Sequence, residues 1–163
     1  MTLISRRNGA FAVMISMLVL AASGCGGTSY SNSSSSKPVA TSAAVSTKTS
    51  SAGTVLAGES GRTLYRFEAD KNGKPTCSGD CAAAWPPAIA SGGVTVSGDA
   101  EKSKVGTVSG TKQLTYAGHP LYYYVKDTDA EDVYGNGVNS FGAEWYALTP
   151  SGANAESKDA AGY

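Results

Sequence analysis

The chain has 163 residues, with 13 Lys and Arg against 13 Asp and Glu, and 41% of it is hydrophobic. That balance leaves no basic face of the kind nucleic-acid binding needs, and the length accommodates one ordinary domain with one core. Without its first 25 residues, which hold Arg6 and Arg7 and no acidic residue, the chain has 11 basic against 13 acidic residues, a formal −2, so no nucleic acid is expected among its partners.

Arg6 and Arg7 precede an apolar run, Phe11 to Ala22, that ends at Ala22-Ser23-Gly24-Cys25. As a helix the run spans about 18 Å, short of the ~30 Å hydrocarbon core of a bilayer. A basic start, a short apolar centre and small residues before a cut site make residues 1–24 a secretory signal. The cysteine after Ser-Gly resembles the bacterial lipobox, in which the thiol is diacylated and the chain is cut before it. Ala22 stands where the lipobox commonly has Leu. The resemblance implies that Cys25 becomes the first mature residue and carries diacylglycerol, with or without a further N-acyl chain. Two acyl chains anchor stably where one does not. The expected location is therefore the extracytoplasmic face of the cell membrane, with the membrane itself as a partner. Ser5-Arg6-Arg7 begins like a twin-arginine signal, but Asn8-Gly9-Ala10 fits that motif poorly, so the general secretory route is expected.

From Gly26 to Ala52 the chain is Ser, Thr, Ala and Gly with few large apolar residues. Such a stretch buries too little to offset its ordering entropy. Residues 25–52 are expected to be a lipidated cysteine and a flexible tether with a reach of about 30 Å. The folded domain is expected over 53–150, and 151–163, small and polar, as a flexible tail.

Within the domain the pattern is β. Thr54-Val-Leu-Ala57 is a short apolar run between glycines. Arg62 to Glu68 alternates, with Tyr65 and Phe67 on one face and Leu64 and Arg66 on the other. Val94-Thr-Val96 follows. Lys104–Val108 and Lys112–Tyr116 flank Ser-Gly, a hairpin signal. Leu121 to Val125 is aromatic and β-branched, as in a strand buried on both faces. Gly142 to Thr149 supplies the last strand. The one helical candidate is Gly79 to Ala84, stopped by Pro86-Pro87.

Two stretches repeat. Gly61-x-x-Leu64-Tyr65-x-Phe67-x-x-Asp70 and Gly118-x-x-Leu121-Tyr122-x-Tyr124-x-x-Asp127 share G-x-x-L-Y-x-[FY]-x-x-D, and a tryptophan follows each, Trp85 and Trp145. Duplication sets the architecture: repeat one at about 53–98, repeat two at about 104–150, together a compact all-β, antiparallel domain. A sandwich, a barrel and a propeller-like arrangement all satisfy the pattern. The chain resembles the bacterial secreted-repeat lipoproteins with the Y-x-[FWY]-x-x-D motif. The supporting segments are Cys77-Ser-Gly-Asp-Cys81-Ala-Ala-Ala-Trp85-Pro86-Pro87, Leu114-Thr-Tyr116-Ala-Gly118-His119-Pro120, Gly135-Asn-Gly137 and Trp145-Tyr146-Ala-Leu-Thr-Pro150. The resemblance implies an envelope lipoprotein whose molecular role is generally unassigned.

With Cys25 lipidated, Cys77 and Cys81 remain, an even number for an oxidising compartment. Four residues apart in a regular helix they stand too far apart for a disulfide. Gly79 supplies the turn that joins them. The competing reading is a Cu(I) or redox site on Cys77, Cys81 and His119, since thiolates suit Cu(I) and C-x-x-x-C occurs in some copper chaperones. All three methionines lie in the signal segment, and no thioredoxin-like pattern accompanies the cysteines. C-type haem lacks its C-x-x-C-H, and a serine hydrolase lacks its G-x-S-x-G elbow. Asp127-Thr-Asp129-Ala-Glu131-Asp132 departs from a calcium loop at position six, Asp132. Tyr65, Phe67, Trp85, Tyr122, Tyr124 and Trp145 are expected to form core, with a ligand groove as the alternative. Asp70 and Asp127 are expected to bond loop amides. The resulting expectation is a non-enzymatic binding or structural module with no cofactor beyond its lipid. Its partner is an envelope protein or wall polymer, and the alternative is a redox or copper accessory protein.

Overall fold

The structure, a computed structural model, describes residues 43–156. The signal segment 1–24, Cys25 and the tether as far as residue 42 lie outside the described residues. Among those described, nine strands and one α-helix follow in order: β1 (Ala43–Ser50), β2 (Gly53–Ala57), β3 (Tyr65–Phe67), α1 (Asp80–Ala84), β4 (Val94–Val96), β5 (Val105–Thr107), β6 (Leu114–Tyr116), β7 (His119–Pro120), β8 (Val138–Ser140) and β9 (Ala143–Ala147). They form three small sheets, β2-β1-β4, β3-β9-β8 and β5-β6-β7. All strand pairs are antiparallel except β1 with β4, which run parallel from Ala43↔Val94 to Val45↔Val96. The fold is an open, sandwich-like packing of these sheets rather than a closed barrel.

Most expected strands lie where the sequence pattern places them, and the hairpin across Ser109-Gly110 pairs Val105–Thr107 with Leu114–Tyr116. Two expectations are corrected. The first is the domain boundary. Ala43–Ser50, expected as tether, is the central strand of its sheet. Its composition is poor, but its alternation is sufficient: Ala43 and Val45 point inward, and Val45 is fully buried. Thr47 and Thr49 are β-branched and suit a strand. Ser46 Oγ adds a bond to the Ala57 carbonyl at 3.2 Å. At the other end the first residues of the expected tail are also held. Asn154 bridges Leu148, and Ala155 is buried with its N–H on the Ala147 carbonyl at 2.8 Å.

The second correction concerns Leu121–Val125, which is not a regular strand. Its amides go to different neighbours: Leu121 N–H to Leu114 O, Tyr122 N–H to Tyr65 O, Tyr123 N–H to Pro86 O and Val125 N–H to Ala84 O. One of those neighbours, the segment 84–88, contains Pro86-Pro87, which donates nothing to a ladder. The run is therefore pinned on several sides without completing a two-stranded register.

The Leu-Tyr pairs of the motif feed two cores. Successive residues of an extended chain point to opposite faces. Leu64 and Leu121 accordingly join a cluster with Val45, Leu56, Leu114 and Leu148. Tyr65 and Tyr122 join an aromatic cluster with Phe67, Trp85 and Trp145.

Candidate functional site

The two copies of the motif meet at Tyr65 and Tyr122. These residues face each other across an antiparallel bridge, each N–H donating to the other's carbonyl at 2.9 Å. Their side chains cross over. Tyr65 OH donates to Asp127 Oδ2 at 2.5 Å, and Tyr122 OH donates to Asp70 Oδ2 at 2.8 Å. Each repeat's tyrosine is thus bonded to the other repeat's aspartate.

The tryptophans are exchanged in the same way. Trp145, on β9, lies opposite Phe67 of the first repeat. Trp85 belongs to the segment that bonds the second repeat, through Pro86 O to Tyr123 N–H and Ala84 O to Val125 N–H. The rings form one stack, Phe67–Trp145–Trp85–Tyr124, with centroid separations of 4.1, 3.9 and 4.1 Å. Tyr65 meets Trp85 edge-on at 5.4 Å, and Tyr122 meets Trp145 edge-on at 5.2 Å. Offset-stacked and edge-to-face pairs are the favoured aromatic geometries. The site is an approximate two-fold knot in which neither repeat is complete alone.

The remaining acceptors of the two acids hold loops. Asp70 Oδ1 accepts from the N–H and the hydroxyl of Thr76, both at 2.7 Å. Asp127 Oδ1 accepts from Tyr134 N–H at 3.1 Å. Gly135 donates its N–H to Tyr65 OH at 3.2 Å, and a Cβ there would stand 2.8 Å from both the Trp85 and Tyr65 rings. Only glycine lets the loop approach so closely. Burial pushes the Tyr65 and Tyr122 phenols well above their usual value, and the carboxylate beside each adds to it. Burial also raises Asp127, against the lowering effects of the Tyr65 hydroxyl, the Tyr134 amide and Lys48.

Cys77 and Cys81 form a disulfide with Cα atoms 5.2 Å apart. Gly79, at φ +58°, makes the turn into α1. Trp85 N–H bonds the Cys81 carbonyl at 2.7 Å, so the bridge and the short helix hold the base of Trp85. Closing so small a loop removes about 2 kcal/mol of unfolded-chain entropy. Cys77→Ser with Cys81→Ser is expected to lower the unfolding free energy by that amount, read as a lower denaturant midpoint by fluorescence, and to leave a single cooperative transition.

His119 is half-buried on β7, with Nε2 3.4 Å from Arg66 Nη1. Burial, and secondly the Arg66 charge, hold its pKa below the usual value. Among the described residues no three His, Cys, Asp or Glu side chains are grouped to hold a metal, so His119 and the bonded cysteines are not brought together as a copper set. In the acidic loop Asp132 Oδ2 turns back onto the N–H groups of Thr128 and Asp129 at 2.8 and 2.9 Å. Lys48, from β1, donates Nζ to the carbonyls of Ala130 and Asp132. The sequence pattern hides Lys48 because its strand resembles tether. The cross-pairing was missed too, although its signal was present: identical Tyr and Asp in each copy are what a two-fold exchange requires.

Residues 46–89 and 103–149 each match one family model, described as a secreted repeat of unknown function. No curated protein and no solved structure matches the chain. No helix among the described residues is long and apolar enough to cross a membrane.

Proposed function

The chain belongs to the family of secreted repeats of unknown function, and on that premise we propose that it is a lipid-anchored, non-enzymatic binding module of the cell envelope. The observation that carries this reading is the reciprocal pairing of Tyr65 with Asp127 and Tyr122 with Asp70. The repeated motif's most chemically capable side chains are bonded to one another and to loop amides. They act as fasteners of a rigid head. Trp85 and Trp145 have ring neighbours on both faces, which leaves no open face for a sugar to stack on. The motif is a framework, and binding falls to the surface it holds in place. The anchor rests on Ala22-Ser23-Gly24-Cys25 and its basic, apolar leader. Metabolic labelling with a fatty acid tests it. Label is expected on the wild-type chain in the membrane fraction and is lost in Cys25→Ala. An unlabelled wild-type chain released to the medium sinks the anchor.

A further inference from the structure

The two-fold relation makes two equivalent crevices, and they differ. In the second repeat the crevice lies between Gly61 and Ala130: a Cβ on Gly61 would stand 3.1 Å from the Ala130 Cβ. Arg62 packs over the Tyr123 ring at 4.7 Å, and Lys48 fills the space by bonding the Ala130 and Asp132 carbonyls. In the first repeat the same places are taken by Gly118, Gly73, His119 and Arg66. Here a Cβ on Gly73 would stand 3.1 Å from the Gly118 carbonyl, and an open cleft of about 510 Å³ remains, lined by Arg66, Lys71, Asn72, Gly73, Gly118 and His119.

The chemistry of the open crevice is also reversed. The closed one is a site of backbone carbonyls, with carboxylates nearby, that receives an ammonium. The open one carries its own cations: Lys71 stands where the other repeat has Thr128, and Arg66 where it has Tyr123. Asp70 lines the cleft, but its two oxygens are already bonded to Thr76 and Tyr122. Arg66 is under-used. Guanidinium has five N–H donors. One Nη2 donor goes to Glu68 Oε2 at 2.8 Å, Nη1 meets His119 Nε2 at a long 3.4 Å, and the buried Nε has no partner. When His119 Nε2 accepts from Arg66, its other ring nitrogen carries a proton to donate.

We propose that this cleft binds a phosphate-type oxyanion, with Arg66, Lys71 and His119 as donors. The proposal rests on the reading of the chain as an envelope binding module and gives that module a ligand class. Residues that carry these donors, from β3, the turn after Asp70 and β7, line one space, which suits a tetrahedral anion. A planar carboxylate partner for Arg66 is already present in Glu68. Phosphate in this setting has two sources, a phosphodiester wall polymer and free phosphate.

The test is an amide and imidazole NMR titration of the full mature chain with inorganic phosphate, a glycerol-phosphate polymer, acetate and chloride. Saturable shifts at Lys71, Gly73, Gly118 and His119 with the phosphate probes are expected. Lys71→Gln, on an exposed turn, is expected to weaken binding several-fold, and Arg66→Gln about tenfold or more. Arg62→Gln, at the closed crevice, leaves it unchanged. Tighter binding of the polymer than of free phosphate assigns the polymer as source, and equal binding assigns the free anion; both support the site. Shifts that follow chloride or acetate equally, or binding that survives both Lys71→Gln and Arg66→Gln in folded protein, overturn it. Release of phosphate from the polymer during the titration would support the site while overturning the non-enzymatic reading. Absence of binding by a lipid-labelled, folded chain removes the site and leaves the anchored module standing.

Discussion

Trp145→Ala is expected to cost about 3–5 kcal/mol of folding stability, as removal of a large buried aromatic does. Domains of this size have about 5–15 kcal/mol in all, so the variant should stand close to unfolding at 37 °C. Trp145 is fully buried, stacks on Phe67 and Trp85 at 4.1 and 3.9 Å, and donates its indole N–H to Ser140 O at 3.2 Å. Its loss opens a cavity at the centre of the two-fold stack. The damage does not stay in the second repeat, because Trp145 packs on the first repeat's Phe67 and Trp85 and its strand β9 pairs with the first repeat's β3. Denaturant unfolding should therefore show one transition at a much lower midpoint, with both repeats lost together. Phe141→Ala, at a half-exposed hairpin tip, serves as the control and should change stability by less than about 0.5 kcal/mol. A Trp145→Ala chain that melts like this control, yet no longer binds an envelope glycan, would reinstate the aromatic residues as a ligand groove.

The same interlocking sets how much was legible in the sequence. Elements whose cause is local were readable: the hairpin across Ser109-Gly110, the short helix that Gly79 opens and Pro86-Pro87 closes, and the alternation that buries Tyr65 and Phe67 while leaving Arg66 less completely buried. Elements whose cause is distant were not. β1 has a tether's composition and becomes a strand because β2 and β4 flank it and Val45 finds a core. Leu121–Val125 has a strand's composition and loses its ladder because prolines lie beside it. The site divides along the same line. The motif residues were named from the duplication, and the disulfide from Gly79 and an even cysteine count. Which tyrosine meets which aspartate is decided by a fold in which each half completes the other. Lys48 and Arg66 have no sequence signal, since an isolated cation in a polar or alternating stretch resembles any solvated side chain.

Stability is expected to fall steeply above pH 10, and Tyr65 and Tyr122 are the reason. Both are buried at 1% exposure or less, and each donates its hydroxyl to a carboxylate, so ionisation would strand a phenolate in the core beside a like charge. Burial is the larger cause of the raised phenol pKa in each case, with the aspartate next. A group whose folded pKa lies above its unfolded value contributes stability that is complete below the unfolded pKa and is lost as pH rises toward the folded one. Unfolded tyrosine titrates at about pH 10. Beyond that point the unfolded chain releases a proton at each position while the folded chain keeps both. Each retained proton costs about 1.4 kcal/mol per pH unit, about 2.7 for the pair. Urea unfolding between pH 9 and 12 should show this slope. Tyr65→Phe is expected to be less stable at neutral pH, having left Asp127 buried without its hydroxyl donor, and to show a slope shallower by about 1.4 kcal/mol per unit. Equal slopes in the wild-type chain and Tyr65→Phe would mean that Tyr65 titrates freely and that its bond to Asp127 does not fasten the repeats.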